Sequence, residues 1–310
     1  VTGPGSAADL IFVRGTVCTL DPGRPFAEAA AVAAGRIAAV GAEREVRSLV
    51  GPRTETVDLA GGMLLPGFQD AHIHPGLGGL HLMRCNLGDL HSRRDYVSAV
   101  GAYARTHPEV PWILGGGWSM DAFPGGVPHR ADLDTVVRDR PVYLPNRDSH
   151  SAWVNSVALE MAGVDAHTPD PVDGRIERDR DGVPTGALHE GAMRLVGALV
   201  PRPTQDDVER ALLAAQSHLH ALGITAWQDA MVVNGLNAPD SLDAYRALAE
   251  RGELTARVAG ALGWDRRRGG EQLDDLVELC RTGSGGRFRS GTVKIMQDGV
   301  LETCTAALLD

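Results

Sequence analysis

The 310-residue sequence has almost no lysine. Of its 30 basic residues other than histidine, 29 are arginine and one is Lys294. Arginine serves wherever only positive charge is needed. It fails where an amine must become neutral, because guanidinium does not deprotonate in proteins. A lysine kept at one position of an arginine-saturated chain is therefore a candidate for amine chemistry. Chance survival of one codon in a GC-rich coding sequence is the alternative.

Other absences exclude whole classes. The four cysteines, Cys18, Cys85, Cys280 and Cys304, form no CxxC pair, so a zinc knuckle is excluded and a reduced, cytoplasmic state is expected. No stretch approaches the roughly 18 uninterrupted apolar residues of a membrane span. The first residues lack the basic and apolar regions of a secretory signal. A net charge of −10 argues against nucleic-acid and anionic-membrane partners and suits solubility. No repeat of fixed period is present. What remains, 43% hydrophobic and 23% charged, is an ordinary soluble globular composition.

Residues 9–60 read as short strands: 10–19, a hairpin of 28–34 and 37–40 about Gly35 and Arg36, and 54–59 before Gly61 and Gly62. We expect a small N-terminal β-sandwich part over 1–62. A short apolar strand, 63–70, runs into AHIHPGLGG. Residues 80–205 are rich in Gly, Pro and Asp, with strand candidates only at 112–114 and 141–145, and are expected to be an inserted lobe. From 204 the texture is regular. Thr204 and Asp207 resemble a capping box. Helices are expected at about 204–222, 242–251 and 271–280, and strands at 224–229, 256–262 and 292–297. This alternation implies βαβ units and a parallel sheet.

His72 and His74 lie just beyond a strand. In extended backbone, residues i and i+2 point the same way, so both imidazoles can reach one ion. The spacing alone is weak, since 11 histidines in this length give about 0.4 such pairs by chance. A second pair, His218 and His220, falls on a helix, where the two directions diverge and cannot chelate together. It reads as structural or surface.

The blocks LPGFQDAHIH, GGGWSMDAFPGGVPHRADLD, PVYLPNRDSHSAWVNSVAL, GVPTGALHEGA and VKIMQDGVLETCTAALLD occur in this order. They resemble the amidohydrolase-3 branch of the amidohydrolase superfamily, which includes N-substituted formamide deformylase and the YtcJ-like hydrolases. The resemblance implies an α/β fold, a (β/α)8 TIM-like barrel of the metal-dependent hydrolase type. Its strands one to four would end at Asp70, Asp229, Leu262 and Asp298, so only the first half is expected within residues 63–310, with the inserted lobe at about 80–205.

The resemblance also implies the chemistry. The expected activity is hydrolysis of a non-peptide C–N bond in a small amide, formamide or cyclic amide by metal-activated water. His72, His74 and Lys294 would be ligands of one or two divalent ions, zinc by expectation, with Lys294 carboxylated. A carbamate forms only from a neutral amine, so this agrees with the compositional argument. Asp70 would orient a ligand imidazole from behind, with strand-turn formation as its alternative, and Asp298 would be a pocket or structural residue. Trp118, Asp121, His150 and Asn155 would line the substrate pocket. Glu190 reads by default as a helix-surface carboxylate. The proton-shuttle aspartate is expected beyond Asp310, together with further ligands. An inactive truncated fragment and a deaminase of a nitrogen heterocycle are the competing functions. The expected partner is a small-molecule substrate, without nucleic acid or membrane. Homo-oligomerisation is compatible with all of this.

Overall fold

The computed structural model describes residues 7–233 and 240–296. Asp298 and Cys304 lie outside the described residues. The chain divides into two compact units, Val1–Phe68 and Gln69–Asp310.

The first unit contains β1 (Leu10–Val13), β2 (Thr16–Cys18), β3 (Phe26–Ala27), β4 (Ala29–Ala33), β5 (Arg36–Gly41), α1 (Glu43–Arg47), β6 (Glu55–Asp58) and β7 (Met63–Leu64). Two sheets result, ordered β5-β4-β1-β6 and β3-β2-β7. Residues 10–19, expected as one strand, are two. Arg14 takes a left-handed φ of 59°, and an added Cβ on Gly15 would meet the Gly62 carbonyl at 2.5 Å. The hairpin turns at Ala34 and Gly35, both at positive φ, one residue earlier than the sequence suggests. Ile11 and Val13 face a core shared with Ala29, Ala31 and Val46.

The second unit begins within β8 (Phe68–Ile73), which leads into α2 (Pro75–Met83). Then come β9 (Cys85–Asn86), α3 (Arg93–Thr106), β10 (Ile113–Gly116), α4 (Arg130–Asp134), β11 (Val142–Pro145), β12 (Ser151–Val154), α5 (Ser156–Met161), β13 (Gly174–Arg178), β14 (Pro184–Glu190) and α6 (Met193–Gly197). Six of these strands form one mixed sheet ordered β13-β14-β12-β11-β10-β9. Its middle strand β12 is buried on both faces. Trp153 enters one core with Trp118, Phe123 and Leu144, while Ala152 and Val154 enter another with Leu159 and Leu188.

The remaining elements are α7 (Gln205–Ala221), β15 (Ile224–Val233), α8 (Leu242–Glu250), β16 (Arg257–Gly263), α9 (Leu273–Thr282) and β17 (Phe288–Lys294). The Thr204–Asp207 capping box is formed in both directions and opens α7. The sheet order is β17-β16-β15-β8, with β15, β16 and β17 mutually parallel. The strand expected at 112–114, observed as β10 from Ile113, is not part of it. One face of the sheet packs on α7, α8 and α9 through Trp227, Leu242, Tyr245, Leu248, Leu262 and Phe288. Ile73 brings β8 onto the same core. Among the described residues the sheet is open and no closed barrel is formed. No helix among them is long and apolar enough to cross a membrane.

Candidate metal centre

β8 carries His72 in its last turn of pleat, and His74 is the residue before α2. Ile73 points into the core, so the two histidines flanking it share the other side. Their rings stand edge to face with centroids 5.6 Å apart. Pro75 begins α2, where its missing N–H costs nothing, and fixes the turn directly after His74.

His74 Nδ1 is a buried nitrogen without a hydrogen-bond partner, and it lies 3.9 Å from Asp229 Oδ1. Burial lowers the His74 pKa below 6.5, and the neighbouring His72 and Lys294 lower it further. The imidazole is thereby kept neutral with a lone pair free, the form a metal requires. Lys294 ends β17 at the opposite edge of the same sheet, and its charge is felt at His74.

Asp229, on β15, is 2% exposed. Burial pushes its carboxyl up to about 7, against hydrogen bonds received from the Met231 N–H (3.1 Å) and the Tyr245 hydroxyl (3.1 Å). Tyr245 accepts in turn from Trp227 Nε1 at 3.3 Å and stacks on Phe288. Asp229 thus links His74 to the packed core beneath the sheet.

Imidazole nitrogens, one of them buried and without a partner here, are donors of the kind suited to a borderline ion such as zinc. These donors are a partial set. Among the described residues, no three His, Cys, Asp or Glu side chains assemble as a metal cage.

Residues 55–310 match the model of the amidohydrolase family. The chain belongs to the amidohydrolase family. It is 31% identical over 299 residues to N-substituted formamide deformylase of Arthrobacter pascens, a match covering 94% of this chain and 54% of that protein. It is 36% identical over 221 residues to the protein LONG AFTER FAR-RED 3 of Arabidopsis thaliana, covering 71% of this chain and 38% of that one. A solved metal-dependent hydrolase of Pyrococcus furiosus superposes with a TM-score of 0.65 at 26% identity, covering 95% of this chain and 57% of that one. The chain therefore spans about half the length of these relatives, or less.

The other residues singled out in this amidohydrolase sequence divide sharply. Asp70 accepts from the His72 backbone N–H at 3.0 Å and so shapes the strand end. The carboxylate beside a candidate imidazole is Asp229, which the sequence offered only as a strand terminus. Trp118 is fully buried, packs against Phe123 and Trp153, and donates from Nε1 to the Leu144 carbonyl at 2.7 Å. It belongs to the core, not to an exposed pocket wall. Asn155 is also fully buried. Its Oδ1 accepts from Val142 and Ala158 N–H groups, and its Nδ2 donates to the Val137 and Arg140 carbonyls. That occupies the amide completely and leaves nothing for a substrate. Asp121 is exposed on a short 3-10 turn. His218 and His220 are exposed near the end of α7.

His150 alone among the pocket candidates is half-buried and chemically poised. Its Nδ1 is 3.0 and 3.2 Å from the two oxygens of Glu190. Glu190 is no helix-surface residue, because it ends strand β14. A cavity of about 330 Å³ lies elsewhere in the unit, lined by Arg84, Tyr103, Trp112, Pro203 and their neighbours. None of the expected site residues lines it.

Proposed function

We propose that this chain carries part of the active site of a metal-dependent hydrolase that cleaves a non-peptide C–N bond in a small amide, formamide or cyclic amide. The observation that carries this reading is the pair His72 and His74 at the end of β8, with the buried Nδ1 of His74 left unpartnered. Family membership and the similarity to N-substituted formamide deformylase support it.

His72, His74 and Lys294 would hold a divalent cation, with zinc the ion their nitrogen chemistry favours. When bound, such an ion supplies an activated water nucleophile and Lewis acidity toward a carbonyl at neutral pH. The chain's own groups do the rest. Burial first, and then the neighbouring His72 and Lys294, lower the His74 pKa and favour its neutral form. Asp229 Oδ1 stands 3.9 Å from the donor nitrogen of that ring, where it would face a bound cation. Lys294, once deprotonated, adds its amine to carbon dioxide and releases a proton, giving a carbamate with two oxygen donors. Arginine has no such route.

Metal analysis of the purified chain tests this. The wild type should retain zinc after gel filtration, and His72→Asn with His74→Asn should lose it. Unchanged metal content in that double variant would overturn the assignment. The competing reading is metal binding without turnover. Retained zinc without hydrolysis of any amide in a panel of formamides, acetamides and cyclic amides would select it.

A further inference from the structure

Around strands β12, β13 and β14 lie two histidine–carboxylate pairs, one closed and one open. His189 sits opposite Ser151 in the register. Its Nδ1 is 2.7 Å from the Ser151 hydroxyl, its Nε2 is 3.3 Å from Glu177, and only 14% of its side chain is exposed. That histidine is enclosed. One residue along each strand is the second pair. His150 Nδ1 meets both oxygens of Glu190, and 31% and 33% of the two side chains remain exposed.

The backbone around the open pair is unusual. Among the described residues of the second unit, two non-glycine residues have left-handed φ angles. They are Ser149 at 65° and Glu190 at 49°, and they flank His150 from both strands. Neither is needed to close a two-residue hairpin. Both are held by surrounding bonds. Ser149 N–H donates to the Asn146 carbonyl, His150 N–H to Asp148 Oδ1, and Glu190 N–H to the His150 carbonyl. Asn146, itself buried, accepts from Ser151 N–H through Oδ1. Strain of this kind persists only where the surroundings over-determine it, and it gathers at functional sites.

The geometry points to His150 as a substrate-contacting residue whose Nε2 accepts a hydrogen bond from an amide N–H, with Glu190 as its positioning residue. A carboxylate across Nδ1 holds the proton on that nitrogen and leaves the lone pair on Nε2. The ring then faces a ligand as an acceptor of fixed tautomer. Left-handed backbone at Glu190 turns its carboxylate onto the ring. The substrate class rests on the amide-hydrolase reading above. The dyad does not, because it uses none of the candidate metal ligands.

Diethyl pyrocarbonate tests both parts, since it acylates the lone-pair nitrogen of neutral imidazoles. Rates at each histidine of the full chain are read by peptide mass spectrometry, with exposed His218 and His220 as internal references. Glu190→Gln should slow acylation of His150 by roughly threefold or more relative to His218 and His220, because the charged acceptor is lost. Glu190→Gly relieves the left-handed strain, so it should fold at least as stably and still slow His150. If His150 reacts at the wild-type rate in both variants, the dyad is wrong. N-methylformamide, which has an N–H, should protect His150 in the wild type, and N,N-dimethylformamide should not. Equal protection by both, or by neither, overturns the substrate contact even if the dyad stands. Loss of zinc binding leaves these rates unaffected, so failure of the metal reading is seen separately.

Discussion

His74 Nδ1 and Asp229 Oδ1 face each other across 3.9 Å, from the first and second strands of one sheet. The distance exceeds a hydrogen bond, and the histidine nitrogen has no other partner. A carboxylate beside the candidate donor nitrogen would face a bound cation, and losing a carboxylate partner weakens metal sites by about 10–100-fold. Asp229→Asn should therefore lower zinc affinity within that range in a chelator competition. Affinity equal to wild type would show that Asp229 serves the core alone.

In the metal-free protein Asp229 also sets a pH dependence. Its folded pKa, about 7, lies above the ordinary 3.8. The folded state thus holds a proton that the unfolded chain releases. The stability this proton confers is complete below about 3.8 and is lost as pH rises to about 7. The loss is on the order of 4 kcal/mol at most. With chelator present, Asp229→Asn should match wild type in denaturant melts near pH 4 and exceed it at pH 8. A constant difference across that range would refute the linkage.

Trp118 and Asn155 should behave as structural residues. Trp118→Ala removes a fully buried indole, and a loss of about 3–5 kcal/mol is expected. Asn155→Ala strands four backbone groups at about 1–3 kcal/mol for each left without water. Denaturation midpoints should fall in both variants. In whatever amide assay the protein supports, Trp118→Phe should leave KM unchanged. A raised KM with unchanged melting would return Trp118 to the substrate pocket.

Burial pushes the Cys85 thiol up to about 12. The thiolate is the reactive form, so Cys85 should resist Ellman's reagent at pH 8 in the native state. Peptide mapping should find labelling at half-buried Cys18 and Cys280 first. Early labelling of Cys85 would mean that the core around Leu87 and Tyr96 opens readily.

Local chemistry was the legible part of this chain. The Thr204–Asp207 box, the spacing of α7, α8 and α9 and the pairing of His72 with His74 each depend on residues within a few positions of one another. Residues 80–205 were harder to read. Strand β12 there is buried on both faces, so no alternation marks it, and β13 and β14 have polar ends that resemble loops. The same limit applies at the site. Asp229 reaches His74 only because β15 lies beside β8, and Glu190 reaches His150 only through the β12–β14 register. Trp118 and Asn155 carry family-like chemistry in one dimension, but their surroundings in three dimensions are apolar packing and backbone groups.

α2, which begins directly after His74, rests on α7 so closely that a Cβ on Gly79 would lie 1.9 Å from the Ala211 carbonyl oxygen. Main chain meets main chain there, with no side chain between to absorb error. The seat of His74 therefore has almost no mechanical tolerance. Any slippage of α7 along its axis would be handed on undiminished to the imidazole, and the histidine's aim is set as much by a distant helix as by its own strand.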